Sequence, residues 1–264
     1  MQRDILDEKT PPETNWTKDI SEFWSQHPNN EIYLRNHPDV TPGSKEYFEI
    51  ILSARRKYIY YLQSMQEWLE GSPSKELLEI GCGMGTDALV FAQQGFSITG
   101  IDLSPVHIDL AKNLFELHSI PGNFMKGNAE NPPFPDNSFG CVYSFGVLHH
   151  TPNTAKAINE LHRVLVTSGR AVLMLYHKKS LNNFVHWITQ KGFENFSSED
   201  DAPITQRFTK KDIKEMCSRF QVCNIKTEYL YGAGYKSIYD YTPKVLFNIL
   251  SKIIGWHLVI YLEK

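Results

Sequence analysis

The chain has little cysteine, no long unbroken apolar run and no excess of positive charge, and each shortage removes a class of protein. Only Cys82, Cys141, Cys217 and Cys223 occur in 264 residues, and no two form a Cys-x-x-Cys pair. Neither a zinc ribbon nor a thioredoxin-like redox site is therefore signalled. The 27 basic and 30 acidic side chains leave a formal charge of -3. A nucleic-acid binder presents a basic surface to neutralise phosphates, so no nucleic-acid partner is expected. The most apolar stretch, Val245 to Leu262, is broken by Asn248, Lys252, Gly255 and His257. Stable membrane insertion is not expected from it, and an interfacial helix is its second reading. The polar opening MQRDILDEKTPPETN lacks the apolar core of a signal peptide, so a cytoplasmic location with reduced thiols is expected. No close cluster of His, Asp and Glu marks a metal site, and no internal repeat or low-complexity tract appears.

What remains is ordinary globular material, 41% hydrophobic and 22% charged. Residues 1 to 30 read as a loosely structured arm with the aromatics Trp16, Phe23 and Trp24. Helical spacing of apolar residues from Ser44 to Leu69 predicts one or two helices, closed by Gly71-Ser-Pro-Ser74. Strands then alternate with helices. Glu76 to Ile80, Ser97 to Ile101, Phe124 to Lys126, Phe139 to Ser144 and Ala171 to Tyr176 read as strands. Ala88 to Gln94, Val106 to His118 and Thr154 to Val166 read as helices between them. After Tyr176 come a polar stretch, a helix from Thr209 to Phe220 with Thr209 as N-cap, and strand-like runs at Val222 to Tyr231 and His257 to Leu262. The expectation is an α/β fold with a doubly wound, mostly parallel seven-stranded sheet. An N-terminal helical arm and cap would span 1–71 and the main domain 72–264. Lid insertions would fall at about 178–208 and 232–255, at the sheet edge where α/β proteins cover their ligands.

The most informative segment is Glu79-Ile-Gly81-Cys-Gly83-Met-Gly85, between a strand and a helix, the context that a nucleotide-binding loop requires. Its spacing is Gly-x-Gly-x-Gly, not the Gly-x-Gly-x-x-Gly of dinucleotide enzymes. Asp102 ends the next strand, where a carboxylate can accept hydrogen bonds from ribose hydroxyls.

Several further segments join this loop in a fixed order. They are Gly100-Ile-Asp102-Leu-Ser-Pro105, Gly127-Asn-Ala-Glu130, Phe134-Pro-Asp-Asn-Ser-Phe139 and the run from Val142 to Pro152. Glu160-Leu-His-Arg-Val-Leu165 and Ser168-Gly-Arg170 complete the series. Over about residues 76 to 177 the chain resembles the class I, Rossmann-like S-adenosylmethionine-dependent methyltransferases, in the ubiquinone-biosynthesis-type and natural-product small-molecule subgroup. The resemblance implies S-adenosylmethionine as cofactor, S-adenosylhomocysteine as product, and Glu79, Gly81, Cys82, Gly83 and Gly85 around the methionine and ribose portion. It implies Asp102 on the ribose, Leu103 on the adenine, and Asn128, Ala129 and Glu130 near the adenine edge. Ser144 to Gly146 would lie under the sulfonium. Asn128 stands where the family often has Asp, Gly140 replaces a usual Asp, and Thr167-Ser-Gly-Arg170 replaces Lys-Pro-Gly-Gly. Asn131-Pro-Pro-Phe134 matches a motif of methyltransferases acting on adenine or glutamine nitrogens, but it precedes the fourth strand here instead of following it.

The implied reaction moves a methyl group to oxygen, nitrogen or carbon of a small molecule by in-line displacement, in which alignment contributes most. A proton acceptor is needed only where the nucleophile must lose a proton. His149 and His150, just after the fourth strand, are the candidates, with His177 at the end of the fifth as a third. Each has a plain packing or capping role as its alternative. Trp24, Tyr33, His37 and Tyr47 could close over an acceptor, and Tyr229, Tyr231, Tyr235, Tyr239 and Tyr241 could line a pocket or only build a lid. Two rival functions stand beside this one: a protein that binds S-adenosylmethionine without methylating, and a nicotinamide-dependent dehydrogenase, which the glycine spacing disfavours. Oligomeric state is unread.

Overall fold

The computed structural model describes residues 16–28, 31–34, 36–189, 202–231 and 236–264. Seven strands form one sheet: β1 (Glu76–Ile80), β2 (Ser97–Asp102), β3 (Asn123–Lys126), β4 (Phe139–Phe145), β5 (Leu165–Tyr176), β6 (Val222–Glu228) and β7 (His257–Glu263). Their spatial order is β3-β2-β1-β4-β5-β7-β6. The first five strands pair in parallel, while β7 runs antiparallel between β5 and β6. The order reverses at β1, so the crevice beyond its carboxyl end is where such a sheet binds ligands.

Helices cover both faces. On one lie α2 (Lys45–Tyr58), α3 (Leu62–Glu70), α4 (Thr86–Gln93) and α5 (Pro105–Leu117). Ile51, Met65, Leu69, Leu77, Phe91 and Tyr143 are almost wholly excluded from solvent in one cluster there. At roughly 1.5–3 kcal/mol for each large apolar side chain buried, α2 and α3 are held by the same core as the sheet. On the other face α6 (Thr154–Val164) and α8 (Lys210–Met216) bury Ile158, Leu161 and Ile213 against β4, β5 and β7.

Several boundaries differ from the sequence expectation. The arm is not loose throughout: Trp16–Gln26 is a helix, α1, with Trp16, Ile20 and Ser21 buried. β5 begins at Leu165, six residues early, because Ser168 at φ +59° makes a tight kink inside a strand that still pairs at both ends. β6 stops at Glu228, since Tyr229 takes φ +63° and turns the chain. Thr209 caps α8 as expected, in a reciprocal capping box with Asp212. Each expected insertion carries helix: α7 (Leu181–Thr189) in the first, α9 (Lys236–Tyr241) and α10 (Lys244–Ile254) in the second. Residues 190–201 and 232–235, Tyr235 among them, lie outside the described residues. Gly140 has a steric cause, because a Cβ there would sit 2.3 Å from Ser74 Oγ. Among the described residues no helix is long and apolar enough to cross a membrane.

Candidate active site

Glycine is needed in the β1–α4 loop for two different reasons. Gly81 has φ +70°, and a Cβ would lie 2.2 Å from a Val147 methyl, so the loop and the turn after β4 touch there. Gly83 has φ +51°, and its missing Cβ would project where nothing lies within 4 Å, into open cleft. The loop is fastened to β2. Gly81 and Cys82 donate their N–H groups to the Ile101 carbonyl at 2.7 and 3.0 Å. Gly83 N–H donates to Asp102 Oδ2 at 2.9 Å.

Asp102 is the hub of this corner. Its Oδ1 accepts Ser104 N–H at 2.9 Å and faces His107 Nδ1 at 3.2 Å. A carboxylate offers about four lone-pair sites, so after these contacts Oδ2 keeps capacity for one more donor. The adjoining cleft, open to solvent on one side and with a cavity volume of about 100 Å3, gathers Gly81, Gly83, Asp102, Leu103 and Gly146. Asn128, Ala129, Glu130 and His150 complete its wall. Asn128 Oδ1 accepts Glu130 N–H at 2.9 Å, and Glu130 in turn accepts the Asn153 N–H that opens α6. An amide oxygen serves that turn as well as a carboxylate, which accounts for Asn at this position.

Helix α1 roofs the cleft with Thr17, Ile20 and Trp24. Ser21 Oγ donates to the Leu103 carbonyl at 2.8 Å, and Ser25 and Ser104 hydroxyls pair at 2.9 Å. Trp24 meets the His150 ring edge-on, 5.2 Å between centroids. Thr17 and Ile20 were not foreseen, although Trp16, Ile20 and Trp24 keep the i, i+4, i+8 spacing of one helix face.

Not every expected residue reaches the cleft wall. Gly85 caps α4, Cys82 is buried against Gly100, and Ser144 Oγ donates to the Ile80 carbonyl at 2.9 Å. Glu79 is 4% exposed beneath the loop, and its Oε2 has no hydrogen-bond partner. Burial, then the nearby Asp87, pushes its pKa well up, against the pull of Arg55. His177 Nδ1 pairs with the Gly255 carbonyl at 3.0 Å, bracing the start of β7 away from the cleft. Burial lowers its pKa. His150 does line the cleft, with Nδ1 on the Ile204 carbonyl at 2.6 Å, which fixes the proton there and leaves Nε2 the basic nitrogen.

His149 is wholly buried, packs on the Tyr176 ring at 3.8 Å, and has no hydrogen bond at either nitrogen. Desolvation, reinforced by His150 and His257, holds its pKa well below 6.5. The ring thus stays neutral in the fold but takes a proton in the unfolded chain as pH falls below about 6.5, which favours unfolding. For His149→Leu, close in volume, the stability gained relative to the parent is expected to grow between about pH 8 and about pH 5.5. Urea midpoints across that range measure it, and parallel curves would contradict a neutral buried ring.

Beyond Gly146 the carboxyl edges of β4 and β5 carry an aromatic wall. Phe145, Tyr176, Tyr229 and His257 form it, with Tyr229 stacked on His257 at 4.2 Å and Phe145 5.5 Å from the same imidazole. His257 Nδ1 pairs with the Tyr61 hydroxyl in a short hydrogen bond. No motif marks His257, and only its place at the start of the last strand could have drawn attention to it. Tyr47 is core, Tyr33 stacks on Tyr58 at 5.8 Å, and His37 is exposed. Tyr239 packs on Tyr58 and Phe247, Tyr231 packs on Phe247, and Tyr241 points outward, 88% exposed. Below the wall Arg55 clasps Asp87 with both Nε (2.7 Å) and Nη2, and Tyr143 donates to the same carboxylate at 2.7 Å.

A sheet that reverses at β1, a glycine loop on its carboxyl edge and an acidic residue ending β2 define the class I S-adenosylmethionine-dependent methyltransferase fold. Residues 78–173 match the family model described as a methyltransferase domain. Over 170 residues it is 28% identical to 2-methyl-6-phytyl-1,4-hydroquinone methyltransferase of Synechocystis sp., covering 62% of this chain and 49% of that protein. Over 114 residues it is 36% identical to the phthiotriol/phenolphthiotriol dimycocerosates methyltransferase of Mycobacterium leprae, covering 42% and 40%. The match thus spans about half or less of these curated relatives. Among solved structures, geranyl diphosphate C-methyltransferase from Streptomyces coelicolor superposes with a TM-score of 0.65 at 14% identity, covering 96% of this chain and 99% of that one. That structure holds Mg2+, geranyl diphosphate and S-adenosyl-L-homocysteine.

Proposed function

We propose that this protein transfers a methyl group from S-adenosylmethionine to a small-molecule acceptor. The carrying observation is the cleft itself: Gly83 opens onto it with no Cβ, and Asp102 beside it retains hydrogen-bonding capacity. When bound, S-adenosylmethionine supplies a methyl group already activated on a sulfonium. Asp102 would hold ribose hydroxyls, Leu103 would cover the adenine, and Asn128, Ala129 and Glu130 would border its edge. The unpaired Oε2 of Glu79, beneath the loop, suits an ammonium group such as that of the methionine portion. Gly146, whose φ of +77° turns the chain after β4, keeps the floor of the cleft free of side chain.

The residues of this chain would do the rest by alignment and by excluding water. Trp24 and Ile20 close the roof, and these apolar side chains suit an acceptor with an apolar or aromatic body. Where that acceptor must lose a proton, His150 is the one of the three candidate histidines that lines the cleft. His149 and His177 serve packing and bracing instead.

Thermal unfolding with S-adenosylhomocysteine, S-adenosylmethionine or NAD tests the cofactor. A ligand at about 100 times its Kd stabilises by roughly 2.7 kcal/mol, equivalent to about 5–10 °C in a domain of this size. The expected result is a shift with both sulfur nucleosides and none with NAD. No shift with either, or one with NAD alone, would overturn the reading.

A further inference from the structure

Thirteen large apolar side chains are exposed among the described residues, and nine of them belong to α7, α9 and α10. On α10 they are Val245 (73% exposed), Leu246, Ile249 and Ile253 (64%). At about 100° per residue these four fall within one arc of roughly 100°. The buried side of the helix, Phe247 and Ser251, lies on a different arc. The helix therefore carries two apolar faces, one packed on the protein and one bare. Phe184, Trp187 and Ile188 of α7 are likewise 54–70% exposed. The two helices meet across a groove in which Ile254 faces Leu181, Phe184 and Trp187. A bare apolar stripe of this kind on a water-soluble surface marks a docking site.

We infer that α7 and α10 dock this protein on the surface of an anionic lipid bilayer, lying in the headgroup region without crossing it. Charge selects this occupant. Lys178, Lys179, Lys244 and Lys252 are exposed around the two helices, and neither helix contains an acidic residue. Glu194, Glu199, Asp200 and Asp201, which follow α7 in the chain, lie outside the described residues. The one acid on α9, Asp240, is paired with Lys57 at 2.7 Å. A bare apolar stripe flanked by lysine is the pattern of an interfacial helix, and anionic headgroups supply the missing counter-charge. A second copy of the chain fits less well: an isologous contact would set Lys244 and Lys252 against the same lysines. Trp187 and Tyr241 supply the amphipathic rings that favour the interfacial level. Both helices belong to connections on the carboxyl edge of the sheet, the edge that carries the cleft, although docking itself does not depend on methyl transfer.

Co-sedimentation with vesicles tests this. The full chain is expected to pellet with vesicles of equal parts phosphatidylcholine and phosphatidylserine, to bind phosphatidylcholine alone more weakly, and to be released by salt. Ile249→Asp with Ile253→Asp, both solvent-exposed, should lower the partition coefficient about tenfold or more while leaving the melting midpoint and any S-adenosylhomocysteine response unchanged. Lys244→Gln with Lys252→Gln should cost about tenfold or more on the anionic vesicles alone, since each basic residue contributes about fivefold. No pelleting by the parent chain, or equal pelleting by the aspartate variant, would overturn the proposal. So would a parent dimer in light scattering that the aspartate pair converts to monomer without any vesicle binding, because the face would then join two copies.

Discussion

Replacing Asp102 with alanine is expected to weaken binding of S-adenosylhomocysteine by on the order of 10–100-fold, measured by calorimetry or by the ligand-induced rise in melting temperature. A hydrogen bond to a charged acceptor contributes roughly 1.5–3 kcal/mol, and one such bond from a ribose hydroxyl already spans about that range. The variant loses more than this bond. Asp102 Oδ2 also holds Gly83 N–H at 2.9 Å, and Oδ1 holds Ser104 N–H at 2.9 Å, so the same carboxylate fixes the glycine loop and the start of α5. Asp102→Asn separates the two effects from a general loss of fold. It keeps the volume, yet its amide nitrogen must point at one of the two backbone N–H groups, and a comparable loss of affinity is expected. Unchanged affinity in both variants, with intact folds, would mean that the ligand does not bind at this carboxylate.

The glycine loop and Asp102 were legible because their constraints are local. Gly81 needs a left-handed φ and a close approach to Val147, and the constraint leaves a glycine at a fixed offset from a strand. Alternating strands and helices were legible for the same reason, each being a periodicity within about ten residues. The roof of the cleft was not. Ser21 bonds to Leu103, 82 residues away, and nothing near Ser21 in sequence announces that partner. The early start of β5 was hidden because Leu165 and Val166 continue the apolar spacing of α6, and only the turn at Ser168 lets them pair as strand. His149 and His150 are adjacent in sequence and looked equivalent, yet one faces the cleft and the other is sealed against Tyr176. A turn of the Leu148–His150 3-10 segment separates their environments, and that rotation is a property of the packed chain.

The largest effect on stability is expected from Arg55. The residue is 8% exposed, and its guanidinium lies 4.5 Å from the Phe145 ring centroid and grips Asp87, itself 3% exposed, with two nitrogens. Burial by itself would lower the arginine pKa; attraction and hydrogen bonding to Asp87 outweigh that and raise it well above its ordinary value. Arg55→Met keeps the apolar stem but leaves Asp87 as a buried, uncompensated carboxylate. Such a change costs about 3–5 kcal/mol, much of the stability of a typical domain. Urea unfolding should show a much lower midpoint with a similar slope. Arg55→Lys should fall between, because an ammonium supplies charge without the two-pronged fit. The informative variant is Arg55→Met with Asp87→Leu. Removing both charges should recover part of the loss, although Tyr143 then loses the acceptor at 2.7 Å and holds the recovery below the parent. A double variant less stable than Arg55→Met would show that the carboxylate is satisfied without its arginine. The pair also joins α2 to the first turn of α4, directly under the glycine loop, and Arg55 is one of the charges that restrains Glu79 from protonating. Loss of Arg55 should therefore reduce S-adenosylhomocysteine affinity as well as stability, and the N-terminal helices then count as part of the cofactor site and not as an appendage to it.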